Sequence, residues 1–546
     1  MASISPNSGT NAADSKPAEA DGAHIMDRDD DIANLRLIAA VKRFPKIAGF
    51  MIAVCPAILL FGFDMVIVST LTAMPYFQKD YGVKLGSKYI IPSSWLGVWT
   101  AAPPLGNMIG AGAAGWVSDH WGRRSSFVIG AFISAVGIAI CFASAYPLDI
   151  EVRRGMFLLG KLMEGIAAGQ VICTVQTYLS EVAPLSLRGP SQALIPLMTL
   201  LGQLVGALVV FACLSVDSRW GYLIPLASQW FFSVILTVIA IIIPESPPYL
   251  ARVGKLDSTL KSLKRLHRAD VDMDAVFRKL CAVLEQERYN SHINGSEVSL
   301  VHCFKGTDLR RTMIVLIAHM MPQFFGLGLL SNASYFGQTI GMKPFMSVLL
   351  LEIGIAVGLV ANIISVWTLS VARRRPLMLV TLGMVGVLWT SIGISGCFDS
   401  PVTMWYTAVS MIFIIFIGGS GVWPASVLVA SETSSLRLRA QTQAIGWVLH
   451  SLGACVFAIV LPYIYNTDQG NLGAKTGFIY LFFCILSFAL VFLYVPEMRG
   501  RSAAQLDNMF SLRLRTRKFR DWPENDIDDI KEEVNIEMVE DCAREN

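Results

Sequence analysis

The chain has 546 residues, 54% of them apolar and only 16% charged, with a formal net charge of +3. Its mean hydropathy is strongly positive, which excludes an ordinary soluble globular domain, where about 25% of residues are charged. The near-neutral charge argues against nucleic acid as a partner. The ten cysteines, such as Cys55, Cys141, Cys173 and Cys455, fall mostly inside apolar runs as small packing residues, with neither a disulfide framework nor metal-ligand spacing.

The first 45 residues are polar, with Asp27, Asp29, Asp30 and Asp31 clustered, and lack the short apolar core and small-residue cleavage site of a signal peptide. The first apolar run is therefore expected to direct insertion. Runs of roughly 20 apolar residues, long enough to cross ~30 Å of hydrocarbon, centre on Leu59, Leu105, Ala135, Ile166, Leu204 and Leu236, then on Phe324, Leu359, Met384, Ile415, Val456 and Ile485. The expected fold is an all-α membrane protein of about twelve transmembrane helices in two six-helix units. Its expected parts are an N-terminal segment over 1–47, a first bundle over 48–247, a central loop over 248–311, a second bundle over 312–497 and a tail over 498–546.

In the central loop, Leu260, Leu263, Leu266, Val276, Leu280 and Leu284 recur at helical spacing among charges, predicting amphipathic helices that brace one face of the bundle. Asn294-Gly295-Ser296 fits a glycosylation pattern but falls on the face expected to be cytoplasmic, so it is read as chance. The charged tail after Ser502 reads as a solvated segment.

The two halves are copies of one another. Ser180-Glu181, Leu185, Leu187-Arg188 and Gln192-Ala193 recur at one offset as Ser431-Glu432, Leu436, Leu438-Arg439 and Gln443-Ala444. The same offset carries Arg123-Arg124 onto Arg374-Arg375, and one residue more carries Pro244-Glu245 onto Pro496-Glu497. Parallel repeats of this kind build secondary transporters. Arg123, Arg124, Arg188, Arg373 to Arg375, Arg437 and Arg439 all follow even-numbered spans, which predicts that this face and both termini are cytoplasmic. Lys79, Lys84, Lys88, Arg153 and Arg154 on the opposite face weaken the contrast. Glu181 and Glu432, with Arg188 and Arg439 seven residues on and Asp119 near Arg123-Arg124, suggest charge clips between helix ends. If such clips form only while the inner end is closed, they bias an alternating-access cycle toward the outward-open state.

Charges inside the membrane cost about 2.5–3.5 kcal/mol at a helix centre, so each is a functional candidate. Asp64 follows Phe61-Gly62-Phe63 in the first span, and Lys161 sits within Gly160-Lys161-Leu162 in the fourth. A buried carboxylate facing a buried ammonium alternates between ion pair and protonated acid, which couples a proton gradient to conformation; the alternative is a static pair that locks two helices. One charge crossing the membrane is worth about 2.3 kcal/mol per 100 mV. Glu164, one turn from Lys161, ranks behind it, and His450 completes the set.

Gly115-Trp116-Val117-Ser118-Asp119-His120-Trp121-Gly122-Arg123-Arg124, the Ser-Glu repeats with their arginines, Pro244 to Leu250 and Pro496 to Ser502 closely resemble the signatures of the sugar porter family of major facilitator transporters. The resemblance runs from about Phe50 to Phe510. Met74 to Gly82, Ile224-Pro225, Gln229-Trp230, Tyr335-Phe336 and Gly473 to Phe478 look like the fungal maltose and α-glucoside permease branch. The resemblance implies the proton as coupling ion with no cofactor, a sugar or glycoside substrate and a monomer, and with no recognisable organelle signal the plasma membrane is the expected location. Asp64 corresponds to the family's first-span acid and Lys161 to its fourth-span arginine, a change that keeps the charge but loses the fork.

The family's sugar-contact positions fall on Pro196, Pro322, Gln323, Gly328, Val427 and His450, and only Gln323 is retained. Gln203, Asn332, Tyr335 and Trp447 are further candidates, the two aromatics as stacking surfaces or as plain packing. His450 either bonds substrate, joins the proton path or bonds a neighbouring helix's backbone. Trp423-Pro424 stands where the family has a flexible Gly-Pro, and Gly418, Gly419 and Gly421 are candidates to supply the flexibility instead. Proton-coupled sugar uptake, export of a non-sugar product and nutrient sensing remain as functions. No nucleophile, metal or cofactor constellation supports an enzyme.

Overall fold

The computed structural model describes residues 37–519, apart from 86–87, 269–270, 279, 283–299, 399, 435–437 and 500–502. Six helices form the first half: Cys55–Thr72, Ser93–Trp121, Arg123–Ala143, Ile150–Val182, Leu185–Cys213 and Trp220–Ile242. The second half repeats them as Gly306–Phe324, Pro344–Val371, Arg374–Ser395, Pro401–Ser420 continuing as Val422–Thr433, Arg439–Tyr465 and Gly477–Tyr494. Each of the twelve expected centres lies in one of these helices. Ten are long and apolar enough to cross a membrane on their own, the shortfall being the second and seventh spans. These two carry prolines and polar groups, with Pro103-Pro104 in one and Arg310, Arg311, His319 and Gln323 in the other.

Glycine lets helices touch backbone to backbone. A Cβ on Gly110 would stand 2.0 Å from the Ile166 carbonyl oxygen, and one on Gly165 2.5 Å from that of Pro103, so the second and fourth spans lie in direct contact. Gly62 against Thr199 and Gly202 against Leu59 do the same for the first and fifth spans. The tenth span breaks at Gly421, between its two helical pieces. A Cβ there would meet Thr381 Cγ2 at 2.2 Å, so the break and the close approach both fall on one of the expected glycines.

The repeated sequence folds into repeated geometry. Glu245 accepts the N–H groups of Arg123 and Arg124 at 2.9 and 3.2 Å, and Glu497 accepts those of Arg374 and Arg375, both at 3.2 Å. Each carboxylate satisfies two of the free donors that open a helix and stands at the positive end of its dipole. The central loop supplies a strongly amphipathic helix, Leu256–Leu266, whose Leu263 and Leu266 are buried. Lys46 donates to the His267 carbonyl oxygen at 2.8 Å, and burial pushes the His267 imidazole down. Asn294 to Ser296, Arg437 and most of the two termini lie outside the described residues.

Candidate functional site: a buried charge triad and a one-sided gate

Lys161 is fully buried and its ammonium donates to Asp64 Oδ1 at 2.9 Å and to Glu164 Oε2 at 2.5 Å. Asp64 is 5% exposed and Glu164 3%, and Glu164 Oε1 is buried without a hydrogen-bond partner among the described residues. The site is therefore a triad, with Glu164 nearer the ammonium than the acid expected to lead. Fully ionised, it carries one net negative charge; with one carboxyl protonated, it is neutral. The first span is packed on the fifth and the fourth on the second, so the triad joins two close-packed helix pairs.

Gln203 Nε2 points at Met65 Sδ, 3.8 Å away, beside Asp64. Across the bundle, Gln323 is buried with Oε1 unpartnered, and Gly328 leaves open the space in front of it, since a Cβ there would lie 3.4 Å from that oxygen. Pro322 is buried inside the seventh helix, while Pro196 and Val427 are exposed. His450 Nδ1 lies 3.0 Å from the His319 carbonyl oxygen, the backbone bond that was one of its alternatives. Trp447 is half-exposed with its ring against both histidines. Asn332 turns back to the Gly328 carbonyl oxygen at 2.9 Å.

Tyr335 stands elsewhere. It is 3% exposed and donates to Asn466 Oδ1 at 3.4 Å, within a polar network that joins the two halves at one end. Asp468 accepts the Ser93 N–H at 2.8 Å and also the Ser93 hydroxyl, so a carboxylate from the second half caps the helix that opens the second span. Asn466 donates to the Ile91 carbonyl oxygen and to Ser93 Oγ, both at 3.1 Å. Ser334 bonds the Ser69 carbonyl oxygen at 3.0 Å, and Gln338 bonds that of Ala73 at 2.7 Å and accepts from Gln78 at 2.9 Å. The Met74 to Gly82 string supports this end through an aromatic nest of Phe77, Tyr81, Trp99, Phe157 and Tyr222.

At the other end, Arg123 meets Glu181 at 2.7 Å and Asp119 at 3.5 Å, and Arg374 meets Glu432 at 3.2 Å. Arg124 and Arg375 bond the carbonyl oxygens of Ile241 and Phe492 at the ends of the sixth and twelfth spans. Each of these ion pairs lies within one half of the chain. The side chains of Arg188 and Arg439 lie outside the described residues.

Sequence reasoning passed over His319 and Glu352. His319 Nε2 faces Gln443 Oε1 at 3.2 Å, and Gly446 makes room for its ring. Glu352 is a buried carboxyl in the eighth span. Both answer the criterion that found Asp64, a polar group inside an apolar run.

A family profile described as "Sugar (and other) transporter" matches residues 49–510. Over 91% of this chain and 93% of its own length, the MFS transporter fmqE of Aspergillus fumigatus is 28% identical. The maltose permease MAL61 of Saccharomyces cerevisiae is 26% identical over 90% of this chain and 80% of its own. Among solved structures, the partially occluded, inward-open xylose transporter XylE of E. coli superposes with a TM-score of 0.67 at 19% identity, covering 84% of this chain and all of that one. Two repeated six-helix bundles, the first holding a buried charge site, define a major facilitator transporter. The chain belongs to the sugar transporter family of that superfamily: it is a multi-pass membrane transporter and not an enzyme.

Proposed function

We propose that the chain is a proton-coupled importer of a sugar or α-glucoside that works by alternating access, with the proton as coupling ion and no cofactor. The observation that carries the reading is the triad: one buried ammonium between two buried carboxyls becomes neutral on taking one proton. A neutral site is far cheaper to move through hydrocarbon than a charged one. The relatives named as maltose and α-glucoside permeases support the substrate class, and the unpartnered Gln323 oxygen offers an acceptor for a hydroxyl. Arginine-rich loops are retained in the cytoplasm, so the end bearing Arg123 and Arg374 is assigned to the inside and the Ser93–Asp468 end to the outside. The same proposal places the chain in the plasma membrane as a monomer.

A second reading, movement of a non-sugar molecule, is favoured by the wall itself. A sugar is held by many directed hydrogen bonds, whereas Gly328, Val427 and Pro196 offer no side-chain donor and His450 already faces a backbone carbonyl. Uptake of labelled glucose, maltose and other glycosides by cells without their own transporters, with and without a protonophore, tests both. One sugar taken up by wild type, and lost with protonophore and in Asp64→Asn, supports proton-driven import. Surface-expressed protein that takes up none of them supports the second reading.

A further inference from the structure

Glu352 is the single charged residue in the eighth span, Pro344–Val371. It is 7% exposed, and its Oε1 is buried with no hydrogen-bond partner among the described residues. Its place in the fold is the meeting surface of the two halves. Phe345, two turns earlier on the same helical face, lays its ring 4.9 Å from that of Phe211 in the fifth span. The flanking Leu351 and Ile355 pack with Val66 of the first span and Ala207 of the fifth.

Among the described residues, the groups on the surrounding helices offer this carboxyl no counterion. The fifth span contributes Cys213, and Arg188 near its far end, whose side chain is not described. On the first span Asp64 is held by Lys161, and on the short helix Ala333–Thr339, which follows the seventh span, Tyr335 is bonded to Asn466. In the tenth, Pro401–Ser420 carries no charge and its Tyr406 is half-exposed, while Glu432 beyond the break pairs with Arg374. An isolated carboxylate enclosed by apolar surface is expensive, and a proton removes the charge. The enclosing surface comes from both halves, so the cost arises only while the Ser93–Asp468 end is closed.

We propose that Glu352 is a proton-controlled latch on that end of the transporter. As the halves meet, the carboxylate takes a proton from the water on that side and becomes a neutral acid; as they part, it returns the proton to the same water. Acid on that side therefore holds the end closed. The proton does not cross the membrane at Glu352, which separates this role from that of the triad. The inference rests on the alternating-access part of the proposed function and not on coupling through Asp64.

The test uses the full chain in nanodiscs with spin labels at Leu148 and Leu472, exposed positions in the loops of that end, one in each half. Distances are measured across about pH 5 to 8, first in wild type and in Asp64→Asn, which removes the triad's share. For one proton, the closed-to-open ratio rises up to about tenfold per unit of acidification. In the Asp64→Asn background, adding Glu352→Gln is expected to leave the end closed at every pH, while adding Glu352→Asp keeps the dependence and shows that the fold is intact. If the dependence persists unchanged with Glu352→Gln, or is already absent in Asp64→Asn alone, the latch is overturned. If instead Asp64→Asn leaves protonophore-sensitive uptake intact while Glu352→Gln abolishes the distance change, the coupling reading falls and the latch stands.

Discussion

The Lys161 ammonium sits 2.5 Å from Glu164 Oε2, closer than its 2.9 Å contact with Asp64 Oδ1. In the proposed mechanism two carboxyls sharing one cation take up one proton between them as a unit, so removing either leaves a simple pair with no need of that proton. Asp64→Asn and Glu164→Gln are both expected to abolish protonophore-sensitive accumulation while sparing substrate exchange across the membrane. Counterflow and net uptake in reconstituted vesicles separate the two activities. Full accumulation by Glu164→Gln would reduce that residue to a structural neighbour.

Loss of the cation is a different perturbation. Lys161→Met leaves two buried carboxyls facing each other, and stripping one partner from a buried pair costs about 3–5 kcal/mol. Asp64→Asn keeps the Lys161–Glu164 contact, so its cost should be much smaller. Thermal unfolding in detergent is expected to rank wild type above Asp64→Asn, and Asp64→Asn well above Lys161→Met.

The twelve helices and the two-fold repeat were legible because hydropathy and polar repeats are written along the chain. The triad was half legible: Asp64 and Lys161 stood out as charges in apolar runs, but the rank of Glu164 depended on side-chain geometry one turn away. Glu352 and His319 satisfied the same criterion, but what each faces across the bundle is not written along the chain. Arg153 and Arg154 blurred the orientation signal for a structural reason. Arg154 bonds the Tyr81 carbonyl oxygen at 2.8 Å and pairs with Glu151, and Arg153 lies near Asp80, so both brace the closed end. The gate itself was hidden, because Ser93, Asn466 and Asp468 are ordinary loop and cap residues until the halves meet.

The duplicated arginine clusters are alike in plan and unequal in strength. Arg123 is 2% exposed, meets Glu181 in two hydrogen bonds at 2.7 and 3.0 Å, and lies over the Tyr249 ring. Arg374 meets Glu432 at 3.2 Å in a more open setting, with its Nε unpartnered among the described residues. Arg123→Ala removes the nearer cation from Glu181 and leaves it Arg252 at 3.6 Å, so it is expected to cost about 3 kcal/mol, the low end for a broken buried pair, and Arg374→Ala roughly half of that. Melting temperatures of the two variants, at equal expression and in one detergent, check the order; equal losses would mean that the repeat's two clips carry the same load.

Asp468 ties the second half to the second span, just beyond Pro92. Its carboxylate takes the Ser93 N–H at 2.8 Å together with the Ser93 hydroxyl, while Asn466 reaches the same serine from the other side. A hydrogen bond to a charged group is worth about 1.5–3 kcal/mol, and these contacts exist only while the halves meet at this end. Asp468→Ala therefore stabilises the opposite conformation by comparison, by a factor of about ten or more in population. Labels on the exposed Leu148 and Leu472 loops should move apart in Asp468→Ala at constant pH. Asp468→Asn keeps one acceptor for the Ser93 N–H and should fall between the variant and wild type. A wild-type distance in Asp468→Ala would place the closing energy in the apolar Phe211–Phe345 contact and its neighbours instead of in the polar cap.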